Sequence, residues 1–498
     1  MIYLRFIKTL RFTDIFHTMT FKTRFAPSPT GEMHFGNVRT ALFNALAATA
    51  QNGEFLLRVE DTDEERSNTD YEQLIYTDLT WLGIQWQEGP DHTENRGSNG
   101  PYRQSERKDI YKKYYQQLLE NNQAYYCFCS EEQLALSRKV LLSQHLPPRY
   151  TGTCSNLSSE EVSSRISKGE KPTIRFRIPK NQTIEFNDLV KGPQSFKSDD
   201  IGDFIIIRGC GTASFMFCNA IDDALMGVTH ALRGEDHLTN TPRQLMIAQT
   251  LGLKHPAYGH ISLIVGHDGS PLSKRHGSKS IKSLREEGYL PEAIVNYLAR
   301  LGHQYENLKF SDINTLGKSF TLTSLGKSPA HYDEQHLNHW QKEAVLHAST
   351  QHFHAWLDSN CKSSKGLAYC SDDKKIDFIN LMKENISYPQ EVLDWAEILF
   401  TDQKDYSSEQ IALLKETPKD FFKKAAEYIQ NNCNDENLDI KALSNYLKDG
   451  FNLTGKKLFQ PLRICLSLTE NGPELQKMAQ LMGSARVIER FNKVYGLL

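Results

Sequence analysis

From Thr20 to about Asp91, short apolar runs alternate with stretches whose apolar residues recur at helical spacing, and few architectures accept that order. Phe21–Ala26 reads as a strand; Val38, Leu42, Ala45, Leu46 and Thr49 follow as one buried helical stripe. Phe55–Val59 is a second β-rich run. Strands alternating with helices build an open, mostly parallel sheet covered by those helices. Ligands bind such sheets beyond the carboxyl ends of the strands. There this chain places the turn Pro27-Ser28-Pro29-Thr30-Gly31-Glu32-Met33-His34-Phe35-Gly36-Asn37 and the acids of Glu60-Asp61-Thr62-Asp63. A helix starting from such a turn aims backbone N–H groups at an anion.

At 498 residues the chain exceeds one ordinary core, and roughly two to four domains are expected. Hydrophobic content of 39% and charged content of 24% are those of a soluble globular protein. No apolar run approaches the roughly 20 residues that span a bilayer. With a formal charge of -3, any nucleic-acid surface has to be a local patch. Nine cysteines favour reduced thiols, with or without a metal, over a disulfide scaffold. Residues 1–18 carry Arg5, Lys8, Arg11 and His17 among aromatic and aliphatic side chains, but Asp14 interrupts them and serine is absent. They read as an upstream start ahead of Met19 in a cytoplasmic protein; the alternative is a transit peptide to an organellar matrix.

From about Ala124 to Thr212, β-prone pieces such as Thr173–Ile178 and Phe204–Ile207 lie between charged loops, so this stretch reads as an insertion. Ile110–Leu119 precedes it as a helix. The sheet is expected to resume with Phe215–Ile221, ahead of Asp222-Asp223, and again with Ile261–Val265. Beyond about Asn338 helical patterns take over, as in Ile411–Thr417, Phe421–Ile429 and Ile440–Tyr446. The expected divisions are an extension at 1–18, a sheet domain at 19–123 and 213–265, the insertion at 124–212, a loop-bearing region at 266–344 and a helical region at 345–498.

A second segment, Pro271-Leu272-Ser273-Lys274-Arg275-His276-Gly277, is a glycine-bounded loop whose cations suit a polyphosphate. Together the two segments resemble the paired HIGH and KMSKS signatures of class I aminoacyl-tRNA synthetases. Arg24-Phe25-Ala26-Pro27-Ser28-Pro29-Thr30-Gly31, Arg58-Val59-Glu60-Asp61-Thr62-Asp63 and Leu232-Arg233-Gly234-Glu235-Asp236-His237 narrow the resemblance to the glutamyl-tRNA synthetases of bacterial and organellar type. It is dense from Thr23 to about Tyr332, while the tail is similar in length and character only.

The resemblance implies an α/β fold: a class I Rossmann-like catalytic domain with an inserted tRNA acceptor-binding domain, followed by an all-helical anticodon-binding region. It implies ATP- and Mg2+-dependent attachment of L-glutamate to the 3′ end of tRNA(Glu), by a monomer with no membrane partner. In that chemistry the amino-acid carboxylate attacks the α-phosphorus of ATP and pyrophosphate leaves, so positioning and charge stabilisation dominate. His34 and Asn37 are the implied catalytic residues at the helix start, and Gly36 admits the adenine or ribose to the backbone. Lys274, with Ser273 and Arg275, is implied on the departing pyrophosphate, and Gly266, Gly269 and Gly277 suit a closing lid. Arg24, Ser28, Glu60 and Arg233 are implied to hold the glutamate. Two guanidinium groups and one acid complement two carboxylates and one ammonium. In isolation an HxGN tetrad is a common loop-to-helix junction and a lone arginine a surface ion pair, so the reading rests on the set.

The chain departs from the family's pattern at three places. Pro271 stands where the loop motif begins with lysine or methionine. Phe215 and Met216 stand where a Tyr-Asn pair precedes the two aspartates, so either Asn219 compensates in the glutamate pocket or the pocket is altered. Cys127, Cys129, Tyr150 and Cys154 resemble the zinc-binding segment of some members, but Asn156 replaces the usual histidine. Zinc takes four ligands, so Tyr150 either completes a structural site or the three thiols are a vestige. Among rival readings, a queuosine-glutamylating paralogue ends soon after the Lys274 loop, and a glutaminyl enzyme carries a β-barrel anticodon region. His34, Lys274 and Arg233 oppose a catalytically silent tRNA binder. Lys419–Lys424 offers a basic run for a tRNA backbone.

Overall fold

The strand Lys22–Phe25 is buried along its whole length and pairs in parallel with Glu54–Leu57, as the opening β–α–β pattern requires. The computed structural model describes residues 20–63, 65–272, 279–361, 370–401 and 405–498. The extension at 1–18 lies outside the described residues. Between the two strands runs the helix Phe35–Ala50, packed on both and on the strand His230–Gly234. It is buried from Ala41 through Ala48, so the single stripe expected from periodicity is too narrow. Thr49, placed in that stripe, is exposed. The wider burial has a second cover behind it: the helix Ile313–Lys318 packs on this helix as well.

His230–Gly234 pairs in parallel with Ala257–Ile261, and Ile264–Val265 with Ala330–His331. The Thr229 N–H donates to the Lys22 carbonyl (2.9 Å), tying the first pair of strands to the second. The run expected as one strand over Ile261–Val265 is thus the end of one strand and the start of another. Between them the Leu263 N–H turns aside to the Glu235 carboxylate (2.8 Å).

Phe215–Ile221 is corrected: it belongs to the helix Phe215–Leu225 and is no strand. A continuous apolar run has no period to read, and buried helix and buried strand look alike in it. Here Phe217 through Asp223 are all buried, and the Ser214 carbonyl accepts the Phe217 and Cys218 N–H groups to begin the turn.

The insertion forms a three-stranded antiparallel sheet of Ala124–Cys127, Thr173–Phe176 and Phe204–Ile207, and a hairpin of Thr183–Asp188 with Gly192–Lys197. Phe176 and Ile206 share one core with Phe217, Ile221 and Ala231, while Tyr125, Cys127 and Cys154 form a small second cluster within the insertion.

The chain packs as two compact units: residues up to Ile281 with Leu298–Tyr332, and Lys282–Tyr297 with Asp333–Leu498. In the second, every described element from Glu334 onward is a helix. Asp420–Asn432 lies along Ser484–Leu497, burying Phe421, Phe422, Ala425 and Ile429 on one and Val487, Phe491 and Val494 on the other. Lys419 and Lys424 remain exposed, over the rings of Tyr495 (4.9 Å) and Phe451 (5.5 Å). Among the described residues no helix is long and apolar enough to cross a membrane.

Gly53 closes the turn into the second strand. Its N–H donates to the Ala48 carbonyl (2.8 Å), and a Cβ there would lie 2.1 Å from the Phe21 carbonyl oxygen. Backbone cannot swing aside as a side chain can. Gly53→Ala is expected to cost about 1–3 kcal/mol, as overpacking does. Urea unfolding checks this: the midpoint should fall, and an unchanged midpoint would mean that the turn relaxes freely.

Candidate active site

Where the first strand ends, Pro27 to Met33 lead into the helix Phe35–Ala50, capped by His34. The His34 backbone N–H donates to the Asn37 side-chain oxygen (3.2 Å), so Asn37 closes the first turn. His34 is half-buried, pairs in an antiparallel bridge with Ser280, and has its Nδ1 3.5 Å from the Lys279 carbonyl. Pro271 bridges Val265, and the Leu272 N–H donates to the Ile264 carbonyl (2.9 Å). The expected phosphate loop therefore leaves beside Ile264 and returns beside His34. Ser273, Lys274 and Arg275 themselves lie outside the described residues.

Between these features is a cleft of about 440 Å³. Arg24, Ser28, Gly36, Asn37, Glu60, Asn219 and Arg233 all line it, so one cavity unites the described candidates except His34, which stands at the cap beside it. A Cβ on Gly36 would meet nothing within 4 Å, leaving the helix start open to a ligand. Of the two departures, Phe215 lines the cleft and stacks on His237 (ring centroids 5.1 Å apart), whereas Met216 is not among its lining residues. Asn219 is already engaged at both ends: its oxygen accepts from Arg58 Nη2 (2.7 Å) and its amide donates to the Phe215 carbonyl (3.1 Å).

Beneath the cleft lies a buried charge network. Asp223 Oδ1 accepts from Arg24 Nε (3.3 Å) and Arg58 Nη1 (2.7 Å), and Arg58 Nη2 also reaches Glu60 (3.4 Å). Burial pushes the Asp223 carboxyl up, but Arg24 and Arg58 outweigh it and hold it below the usual range. For Glu60 burial wins over the attraction of Arg58 and Arg24, and its pKa is raised. Asp222 joins at the edge, 3.9 Å from Arg58 Nε, and is held chiefly by Arg107 Nε (2.7 Å) and the Tyr111 hydroxyl (2.8 Å). Arg58 was quoted in the motif but given no role. The signal was present: an arginine inside a strand-like apolar run needs a buried partner.

Arg233 differs from the other two arginines. Its Nε donates to His260 Nε2 (3.1 Å) and its Nη2 to the Thr241 hydroxyl (2.7 Å), both neutral acceptors, while Nη1 is buried without a partner. Burial, with repulsion from Arg24 among the lesser causes, lowers its pKa to about 10. His237 nearby is lowered to about 4, first by burial and further by Arg233 and Arg24. His260, Thr241 and Asp188 carried no motif, so sequence reasoning missed them.

In the insertion the three thiols of Cys127, Cys129 and Cys154 lie within 4.8 Å of one another. The Tyr150 hydroxyl joins them, 3.4 Å from Cys127 Sγ and 3.5 Å from Cys129 Sγ. The two neighbouring thiols are pushed in opposite directions: burial raises Cys129 to about 11, whereas contacts with Tyr150 and Arg175 outweigh burial and lower Cys127. Three converging sulfurs and one oxygen are a donor set that fits zinc. Asn156 is exposed.

Residues 20–339 match the family model for class I tRNA synthetases (E and Q), catalytic domain, and 348–495 match an anticodon binding domain. A glutamate–tRNA ligase 2 of Nitrosococcus oceani is 49% identical over 469 residues, 94% of this chain and 97% of that protein. The glutamate–tRNA ligase 2 of Coxiella burnetii strain RSA 331 is 50% identical over 472 residues, 95% and 99% of the two chains. The chain belongs to the glutamate–tRNA ligase family. The solved glutamate tRNA ligase of Elizabethkingia meningosepticum, in complex with its amino acid, matches at TM-score 0.84 and 29% identity over 96% of this chain and 99% of that one. Family membership therefore covers the helical tail as well as the motif-dense half.

Arg58 is a fully buried cation of this site, in contact with both Asp223 and Glu60. Removing it leaves Glu60 without its main counter-charge and Asp223 with Arg24 alone, and breaking such a buried pair costs about 3–5 kcal/mol. Arg58→Ala is expected to lose that much at pH 7 and less at pH 5, because a carboxyl freed of its cation takes up a proton more readily. Urea titrations at both pH values check the size and the sign.

Proposed function

We propose that the chain attaches L-glutamate to the 3′ end of tRNA(Glu), using ATP and passing through a glutamyl-adenylate. The observation that carries this reading is Arg233, 5% exposed, with one guanidinium nitrogen unpartnered in a cleft that also holds Arg24 and Glu60. An unpaired guanidinium edge in a dry site suits a carboxylate. Glu60 supplies the acid for the substrate ammonium, and Arg24 the second cation.

ATP lies, on this reading, against the open helix start at Gly36 and Asn37, where backbone N–H groups favour phosphate. Mg2+ bound to the phosphates neutralises their charge. His34 hydrogen-bonds a phosphate oxygen, and Lys274, with Ser273 and Arg275, meets the charge that develops as pyrophosphate leaves. Ser28 closes the amino-acid end. The segment 124–212 takes the acceptor end of the tRNA, and the helical tail the anticodon, as its match to an anticodon binding domain supports. Exposed Lys419 and Lys424 suit its phosphates. On this reading the protein acts as a monomer, and bacterial relatives support a cytoplasmic location.

Arg233→Ala is expected to lower kcat/KM for glutamate by about two orders of magnitude, since a site built for a polar group discriminates strongly once it is left unpaired. KM for ATP should stay near the parent value. Steady-state kinetics with each substrate varied would remove Arg233 from the amino-acid pocket if both suffered equally. Lys274→Ala should slow pyrophosphate exchange, assayed with tRNA present, by about 100-fold or more. A zinc ion is proposed on Cys127, Cys129, Tyr150 and Cys154 as a structural staple of the insertion. Elemental analysis should find one zinc per chain, lost in Cys154→Ser; no zinc in the parent protein would make the thiols a vestige.

A further inference from the structure

We propose that Asp188 and His260 are a positioning pair: Asp188 fixes the proton of His260 on Nδ1, so that Nε2 stays a hydrogen-bond acceptor and aims Arg233 at the substrate's side-chain carboxylate. The proposal rests on the reading of Arg233 given above.

The strand register sets it up. In the parallel pair His230–Gly234 and Ala257–Ile261, Arg233 lies beside His260. Arginine nitrogens only donate, so Nε, 3.1 Å from His260 Nε2, requires a lone pair there. The ring's one proton then sits on Nδ1, facing Asp188 Oδ2 at 2.5 Å. Asp188 is itself fixed, because its Oδ1 accepts the N–H groups of Val190 (2.9 Å), Lys191 (2.7 Å) and His260 (3.2 Å). Both side chains are fully buried. Burial also lowers the His260 pKa, beyond what the Asp188 hydrogen bond restores, which keeps the ring neutral. Thr241 completes the frame, its hydroxyl 2.7 Å from Arg233 Nη2 and 3.1 Å from His260 Nε2.

Arg233 is thereby held at Nε and Nη2, and the buried Nη1 is left for a ligand. The opposite tautomer would set an Nε2–H against the Arg233 Nε–H, donor against donor. Asp188 closes the hairpin strand Thr183–Asp188 of the insertion, so a residue outside the nucleotide-binding strands governs the geometry of the amino-acid pocket. It touches no substrate and acts through His260.

The test uses the full chain with tRNA, ATP and glutamate. An asparagine amide can donate to Nδ1 and drive the ring proton to Nε2, so Asp188→Asn should raise KM for glutamate by at least about tenfold, the loss of one charge-assisted contact. KM for ATP should stay within about twofold, below the effect of losing any such contact. His260→Leu should match Asp188→Asn. His260→Gln offers Arg233 a carbonyl that needs no tautomer, so it should recover most of the glutamate affinity, and adding Asp188→Asn to it should cost little more. Three outcomes would overturn the pair: equal rises in both KM values, no recovery by glutamine, or additive losses in the double variant. If Arg233→Ala itself spares glutamate use, the reading of Arg233 falls first. If Arg233→Ala impairs it and Asp188→Asn does not, the positioning role alone falls.

Discussion

The cleft rests on one carboxylate. Asp223 is fully buried, and it joins Arg24 at the end of one strand to Arg58 at the end of the next, from a helix that begins almost 200 residues later in the chain. A buried ion is costly unless paired and hydrogen-bonded, so the three elements are held to one arrangement by what any departure would leave exposed to an apolar interior. Glu60 and Asn219 are placed as a consequence, because both are tethered to the far end of the Arg58 guanidinium. The groups that face a ligand are thus held from below by contacts within the network, while Asp223 Oδ2 and Arg58 Nε stay buried without a hydrogen-bond partner.

That constraint also explains what the sequence could express. The strand–turn–helix around His34 was legible because helix and strand have different periods and because Gly36 and the acids at Glu60 fall at the positions a parallel sheet reserves for ligands. The residue words around Arg24, Arg233 and Lys274 added the family, which the full-length relatives bear out. Phe215–Ile221 was misread because burial on every side erases periodicity, and the buried stripe of Phe35–Ala50 was drawn too narrow because that helix is covered twice. The depth of Arg58 was within reach. Its partners were not, since Asp223 lies 165 positions away and nothing in either neighbourhood names the other.

Asp188 and His260 are the harder case. They are 72 residues apart, one in a hairpin and one in the main sheet, and they meet only because the hairpin packs against the strand Ala257–Ile261. The Leu189 N–H donates to the Tyr258 carbonyl (2.9 Å), and this single backbone bond sets the hairpin's end against the main sheet. The insertion is accordingly no appendage. Its main core is continuous with that of the sheet domain, and its strand Thr183–Asp188 carries a side chain that supports the cleft.

The charges around the cleft are divided unevenly, and the inequality is what selects a ligand. Arg24 and Arg58 are answered by Asp223 and Glu60, and Arg107 by Asp222. Arg233 meets only the neutral His260 and Thr241, with the face of Tyr258 beneath it at 4.8 Å. A guanidinium in that setting keeps its charge, even at a pKa near 10, but lacks a counter-charge. A carboxylate entering the cleft supplies one; a neutral amide of the same shape offers only a dipole and leaves the cation uncompensated. The gain for the acid is large because Arg233 is already buried and already oriented, so little of its own desolvation or reorganisation is left to be met on binding. On the proposed function, preference for glutamate over glutamine follows from a guanidinium left without a carboxylate in contact, and a neutral His260 is what keeps it so.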